Sequence, residues 1–430
     1  MRFSKLTRRR FLVSSAALAA SAAWPGVLFA KTGGTSRLVV VILRGALDGL
    51  AAVPPHGDPS YAGLHRDLAI GAPGSAEGAL ALDGTFGLHP SLEFLHERYG
   101  AGELIVFHAV ASPYRDRSHF DGQNVLENGL THPLGAADGW LNRALAAMPA
   151  VPAADVERAV AISQNVPLIL RGEAPVLSKS PLVTPDADEE LLARLADLYS
   201  RDDWLSARLS EALQSQHLTD HLEQAPGDAA PGMAMQADSR AAGDSRAAGD
   251  GRAAGGPKLD RVSGAAHLAA AVMRTEGGPE IAVIEASGWD THANQGGAQG
   301  TLAGRLKGLD TALHTLADEL GELWPRTAVL VVTEFGRTAA MNGTRGTDHG
   351  TGGCALLAGG AVRGGRVIAD WPGLTPASLL DNRDLRPTLD LRSICKGVLD
   401  EHLHIDAGTL GGRVFPDSNE ARPLRGLIRA

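Results

Sequence analysis

"RLVVVILRGALDG", residues 37–49, runs after Arg37 through six apolar residues, four of them β-branched, and then breaks abruptly at Arg44 and Gly45. An uninterrupted apolar run lacks the polar alternation of a half-exposed strand. It suits a strand covered on both faces, as in a parallel sheet. Four further runs have the same character: LIVFHAV (104–110), IAVIEA (281–286), AVLVVT (328–333) and CALLA (354–358). A helical pattern over 89–99 precedes the first of these, and an amphipathic helix over 302–323 precedes the third. Strands separated by helices predict an α/β fold with a largely parallel central sheet and helices on both faces.

Two segments stand outside that frame. Residues 1–30 carry Thr7-Arg8-Arg9-Arg10-Phe11-Leu12, an apolar run over 12–23 and a small residue, Ala30, at a cleavage position. This pattern is that of a twin-arginine export signal, with an ordinary secretory signal or an anchor as the alternatives. The apolar run is too short to span a bilayer, so no stable membrane span is expected after cleavage. Residues 225–257 contain DSRAAG, DSRAAG and DGRAAG in tandem at 238–255. With no large apolar residue they cannot bury a core, and a disordered insertion is expected there. The expected organisation is a signal at 1–30 and one domain over 31–430 carrying that insertion, with helical and loop elaboration over 145–220.

Charge and cysteine usage narrow the partners. Loss of the five basic residues in 1–30 takes the net charge from −9 to −14. That argues against nucleic acid and anionic membrane. The expected partners are the twin-arginine export machinery and a small anionic substrate, with a periplasmic or secreted location. Cys354 starts an apolar strand and Cys395 lies in a helical pattern. Two buried thiols are expected, a disulfide being the other possibility in an oxidising compartment. No Cys-rich or haem-attachment motif supports a redox carrier.

Ligands of open α/β sheets bind outside the carboxyl ends of the strands. Three of the apolar runs lead straight into chemistry-bearing residues: Asp48 after the first, Asp290 and His292 in SGWDTHANQ (287–295), and Glu334 in VVTEFGRTAAMNGTRGTDHGTGG (331–353), whose loop also holds Asp348 and His349. Three carboxylates and two imidazoles in one cleft repel or desolvate one another unless a cation joins them. Carboxylates suit hard divalent ions, and imidazole adds zinc, manganese or iron. Each acid has a blander role open to it as a helix cap or turn residue.

The stretches LRGALDGLAAVPP, RSHFDGQNVLENG, SGWDTHANQ and VVTEFGRTAAMNGTRGTDHGTGG together resemble the alkaline phosphatase-like superfamily, which includes sulfatases, and in particular an exported branch of it. The resemblance implies an alkaline phosphatase-like sandwich and a divalent metal site (zinc, manganese, magnesium or calcium; one or two ions). It implies hydrolysis of phosphate or sulfate esters by a Ser or metal-hydroxide nucleophile. Asp48, Asp290 and His349 match metal ligands of that superfamily. Glu334 and Phe335 fall where Asp-His is usual, so one ligand is missing. Asn294 stands where a His is usual, and His292, two positions earlier, is the substitute. Asp348 stands as a compensating residue. Ser118 matches the nucleophile, with a helix cap as the alternative. Arg337, Asp348, His119 and Asn294 are expected on the substrate side. A catalytically inactive metal-binding or assembly protein on the same fold is the competing expectation.

Overall fold

A computed structural model describes residues 36–149, 157–180 and 261–429. The export signal, the repeat-bearing insertion and the 181–220 part of the expected helical elaboration lie outside the described residues. In chain order the strands are β1 (Arg37–Arg44), β2 (Leu80–Ala81), β3 (Gly87–Leu88), β4 (Leu104–Ala111), β5 (Ala159–Ile162), β6 (Leu177–Lys179), β7 (Ile281–Ser287), β8 (Thr327–Thr333), β9 (Gly353–Ala358), β10 (Arg366–Ile368) and β11 (Leu389–Asp390). The main helices are α1 (Gly49–Ala52), α2 (Tyr61–His65), α3 (Glu93–Gly100), α4 (His119–Asn128), α5 (Trp140–Ala147), α6 (Arg261–Met273), α7 (Thr301–Leu320) and α8 (Leu391–Leu403).

Nine strands form one mixed, mostly parallel sheet in the order β10-β4-β9-β8-β1-β7-β5-β6, with β11 beside β4. β1 lies at its centre, parallel to β7 on one side and β8 on the other. Its side chains alternate between two cores. Val39, Val41 and Leu43 pack with residues of α6 and α7, such as Ala269, Leu306 and Leu313. Leu38, Val40 and Ile42 pack with residues of α5 and α8, such as Leu141, Ile394 and Val398. Burial on both faces explains the unbroken apolar run. In α7 the buried leucines 302, 306, 309, 313, 316 and 320 recur at intervals of three and four, one face of a helix. It ends at Gly321, and a 3₁₀ segment, Gly321–Arg326, carries the chain into β8.

Two features depart from the sequence expectation. The segment 157–180 is not mere elaboration: β5 and β6 extend the sheet beyond β7. β9 runs antiparallel to both β8 and β4. A fully buried apolar run carries no mark of direction, so its orientation was not legible. The consequence is functional. The chain leaves the carboxyl end of β8, and it enters β9 on the same edge of the sheet. The whole 334–352 loop therefore stays where β1 and β7 also end. Cys354 and Cys395 are both free and buried, as two core thiols.

The edge is trimmed by a bulge in β4 at His108–Val110, where Ala109 takes a φ of 55°. His108 holds this turn. Its Nδ1 accepts from the Ala109 N–H at 2.8 Å and its Nε2 donates to Val53 O at 3.1 Å. The ring is fully buried between Phe86 and Trp371. Burial pushes its pKa from 6.5 down to about 4. A lowered imidazole contributes stability above pH 6.5 and loses it as pH falls through the folded value. At about 1.4 kcal/mol per pH unit the loss between pH 6.5 and 4 is about 3 kcal/mol. We predict that His108→Gln lowers the urea midpoint at pH 7 and flattens its decline toward pH 4; an unchanged acid slope would contradict this.

Candidate metal centre

β1, β7 and β8 end in register, Leu43 beside Ala286 and Thr333. Three segments meet there: the 288–295 turn after β7, the 334–352 loop after β8, and the N-terminus of α4. Close backbone approach is needed, and two glycines allow it. A side chain at Gly45 (φ +118°) would come within 2.6 Å of the Asp290 backbone nitrogen, and one at Gly346 within 2.3 Å of Thr291 O.

His119, Asp290 and His349 present ligand atoms that all lie within 4.8 Å of one another. His292 joins them. Its Nε2 is 3.0 Å from Asp290 Oδ1 and 2.9 Å from His349 Nε2. His349 Nε2 is 3.3 Å from Asp290 Oδ1, and His119 Nε2 is 3.4 Å from Asp290 Oδ2. Donors bound at about 2.0–2.1 Å to a tetrahedral ion stand about 3.3 Å apart, so these separations are of the right size.

The far nitrogen of each ring is already engaged. His119 Nδ1 donates to Glu334 Oε1 at 2.8 Å, His292 Nδ1 to Asp348 Oδ1 at 3.1 Å, and His349 Nδ1 to Arg117 O at 2.9 Å. An acceptor at Nδ1 fixes the proton there in the neutral ring and leaves Nε2 as the lone-pair atom. Metal-binding histidines are characteristically held this way. Two lone pairs facing at 2.9 Å repel unless a proton or cation lies between them. His119 Nε2 is buried and makes no hydrogen bond. By donor chemistry and by this orphaned nitrogen, the residues fit a metal ion.

The carboxylates differ in their duties. Burial alone would raise the pKa of Asp290, but the hydrogen bond and charge of Arg337, with His292 and His119, bring it below the usual range. Arg337 is fully buried, with Nη1 2.5 Å from Asp290 Oδ1 and its other nitrogens on Thr347. Glu334 is buried and accepts from Gly45 N (2.9 Å), Gln123 (3.1 Å), His119 and Thr333. Against the cost of burial, the hydrogen bonds from His119, Gln123 and Gly45 hold its pKa down. Its hydrogen bond with His119 in turn raises that imidazole's pKa. His349, 4.2 Å away ring to ring, is lowered, first by burial.

The structure brings Asp290, His292 and His349 within 3.0–3.3 Å of one another through Asp290 Oδ1. It adds His119, which the sequence had suggested for the substrate side. Glu334 and Asp348 stand one step back, each orienting a histidine. Asp48 does not join the group: one oxygen caps α1 through Leu50 N and Ala51 N (both 3.1 Å), and the other takes Gln295 (2.7 Å) and lies 3.4 Å from His65 Nε2. Arg337 is committed to Asp290 and Thr347 and is not an open anion contact. Asn294 is exposed in a left-handed turn (φ 48°), its N–H on Thr344 O. Ser118 occupies the N-cap position of α4, yet its side chain makes no capping bond. Phe335 stacks on His119 at 5.0 Å. Sequence reasoning missed Gln295, buried between Asp48, Thr291 and Thr347; a Gln in a polar turn carries no signal of its own.

Sheet and donor group together define an α/β protein with a three-histidine, one-aspartate cluster at the strand ends. The chain belongs to the family described as "Protein of unknown function (DUF1501)", which matches residues 35–414. No curated protein matches it in sequence. Among solved structures, Ps i-CgsB in complex with k-i-k-neocarrahexaose is similar with 9% identity and a TM-score of 0.36, over 90% of this chain and 77% of that one. The phosphonate monoester hydrolase of Agrobacterium radiobacter is similar with 13% identity and a TM-score of 0.32, over 77% and 70%. Likeness of this degree decides neither fold nor chemistry.

The Asp48–His65 pair generates a prediction of its own. Despite burial, Asp48 is held below its ordinary 3.8 by His65 and Gln295, and His65 above its ordinary 6.5 by Asp48. The Asp48 contribution is full above 3.8 and lost as pH falls through the lowered value. The His65 contribution is full below 6.5 and lost as pH rises through the raised value. His65→Leu should cost about 3–5 kcal/mol near pH 5–6 and remove the alkaline loss. Urea midpoints measured from pH 5 to 9 check this, and an unaltered alkaline limb would refute it.

Proposed function

We propose that the chain is an exported metal-dependent hydrolase of phosphate or sulfate esters on an alkaline phosphatase-like fold. It would reach the periplasm or exterior through the twin-arginine machinery and act on a small anionic ester. One observation carries this: His119, Asp290 and His349 present ligand atoms within 4.8 Å of one another at a strand edge, His292 Nε2 lies beside Asp290 and His349, and every Nδ1 is already engaged. A divalent metal there would lower the pKa of a bound water or hydroxyl and polarise an ester oxygen. The chain's own residues supply the rest. Ser118, next to His119 and free of capping duty, is the candidate nucleophile. The first-turn N–H groups of α4 and its positive end favour an anionic group beside it. Phe335 gives His119 an apolar wall that limits water.

A second reading, a metal-binding or assembly protein without turnover, is favoured by one observation. Arg337, the guanidinium expected on the substrate, is consumed by Asp290 and Thr347. The two readings part on assay with aryl phosphates and aryl sulfates. The hydrolase reading expects turnover that falls on the order of a thousandfold or more in Ser118→Ala and about a hundredfold or more in Asp290→Ala. Stoichiometric metal with no turnover on either ester class supports the second reading.

A further inference from the structure

We propose that the site takes a single transition-metal ion of the zinc class, held by His119, His292, His349 and Asp290, and that a second metal position is closed by the chain's own side chains. This deepens the metal-dependent reading above and rests on it.

The choice of ion follows from the donors. Three imidazole nitrogens and one carboxylate suit zinc, cobalt, iron or nickel. Magnesium and calcium require mostly oxygen donors, magnesium in near-octahedral array. His292 Nε2 lies 3.0 Å from Asp290 and 2.9 Å from His349, and His119 Nε2 3.4 Å from Asp290; the ligand atoms of His119, Asp290 and His349 all fall within 4.8 Å, a spread that closure around one ion takes up.

The number of ions follows from the carboxylates left over. A second ion would need Asp48 and Glu334. Asp48 is fully buried, with both oxygens engaged by two backbone N–H groups and Gln295, and with His65 at 3.4 Å. Glu334, also fully buried, has four donors and serves to orient His119. Phe335, the residue after it, offers only a ring, stacked on His119 and within 5.3 Å of His349. Charge agrees. Asp290, Glu334 and Asp348 against Arg337 leave two net negative charges around the donors, which one divalent ion balances. The Asp48–His65 pair is closed on itself. His119 thereby becomes a ligand whose basicity is set by Glu334, and Glu334 is a positioning residue.

The test is metal binding, read apart from turnover. The purified full chain is stripped with a chelator and reloaded with zinc, cobalt, magnesium or calcium alone. Inductively coupled plasma mass spectrometry should find one zinc or one cobalt per chain. The cobalt form should give a visible spectrum of a low-coordinate nitrogen–oxygen site, and millimolar magnesium or calcium should displace neither. Asp48→Asn should retain the one ion. His119→Gln and His292→Gln should lose it, and Glu334→Gln should weaken binding about 10- to 100-fold. X-ray absorption at the zinc edge of the unmutated chain should count three imidazoles, which keeps the test decisive where a variant does not fold. Two equivalents of metal, displacement by magnesium, or fewer than three imidazoles would overturn the inference while leaving ester hydrolysis open. One zinc without turnover would uphold it and count against the hydrolase.

Discussion

The Asp290 carboxylate, pinned by a buried guanidinium, is the interaction on which the site depends. Asp290 sits on a short turn after β7, where a free carboxylate would be mobile and solvated. Arg337 reaches it from the neighbouring β8 loop with Nη1 at 2.5 Å, and Thr347 holds the rest of the guanidinium. A planar fork with always-charged donors suits that task where a lysine would not. With Asp290 fixed, its two oxygens face different partners: Oδ1 toward His292 and His349, Oδ2 toward His119. Removing the guanidinium would release the carboxylate from which all three imidazole distances are measured.

Topology makes that geometry possible. His119, Asp290 and His349 come from positions 230 residues apart in the chain. α4 follows β4, the 288–295 turn follows β7, and the 334–352 loop joins β8 to β9. Because β9 is antiparallel, that loop is a same-edge connection and contributes at both of its ends: Glu334 and Arg337 near the start, Asp348 and His349 near the finish. The isolated antiparallel bridge between Arg337 and His349 ties the two ends together. A parallel crossover would have carried the chain to the opposite edge and taken His349 with it.

Much of this was legible in sequence, and the boundary has a physical reason. Runs such as LVVVIL and AVLVVT are buried on both faces, so composition alone marks them as strands and their final residue marks the edge. That logic singles out Asp290, His292 and His349, which the fold brings side by side. Strand direction was not legible, since apolar runs look alike in either sense. Nor were β5 and β6, only four and three residues long at the sheet margin. The harder distinction was between acids. Asp48, Asp290 and Glu334 all follow strands, but their fate depends on donors brought from elsewhere: Gln295 and His65 for Asp48, Gln123 and Gly45 for Glu334, Arg337 for Asp290. No local pattern distinguishes a carboxylate that will be saturated by such contacts from one that will be left facing imidazoles.

His119 shows how the same carboxylate can serve a site without entering it. A buried Glu334 that met a cation directly would have to give up donors it already has, from Gly45, Gln123 and Thr333. Its placement behind His119 keeps all of them and transmits its charge through the ring, raising the basicity of the nitrogen that faces Asp290. Phe335 complements this from the other side. It stacks on His119 and approaches His349, where a second polar ligand would have competed for the same space. Gly122 is required opposite, since a side chain there would come within 2.9 Å of the Phe335 ring. The Glu-Phe pair at 334–335 thus acts in a coordinated way: Glu334 orients His119, Phe335 walls it, and the helix that begins at His119 is seated against both.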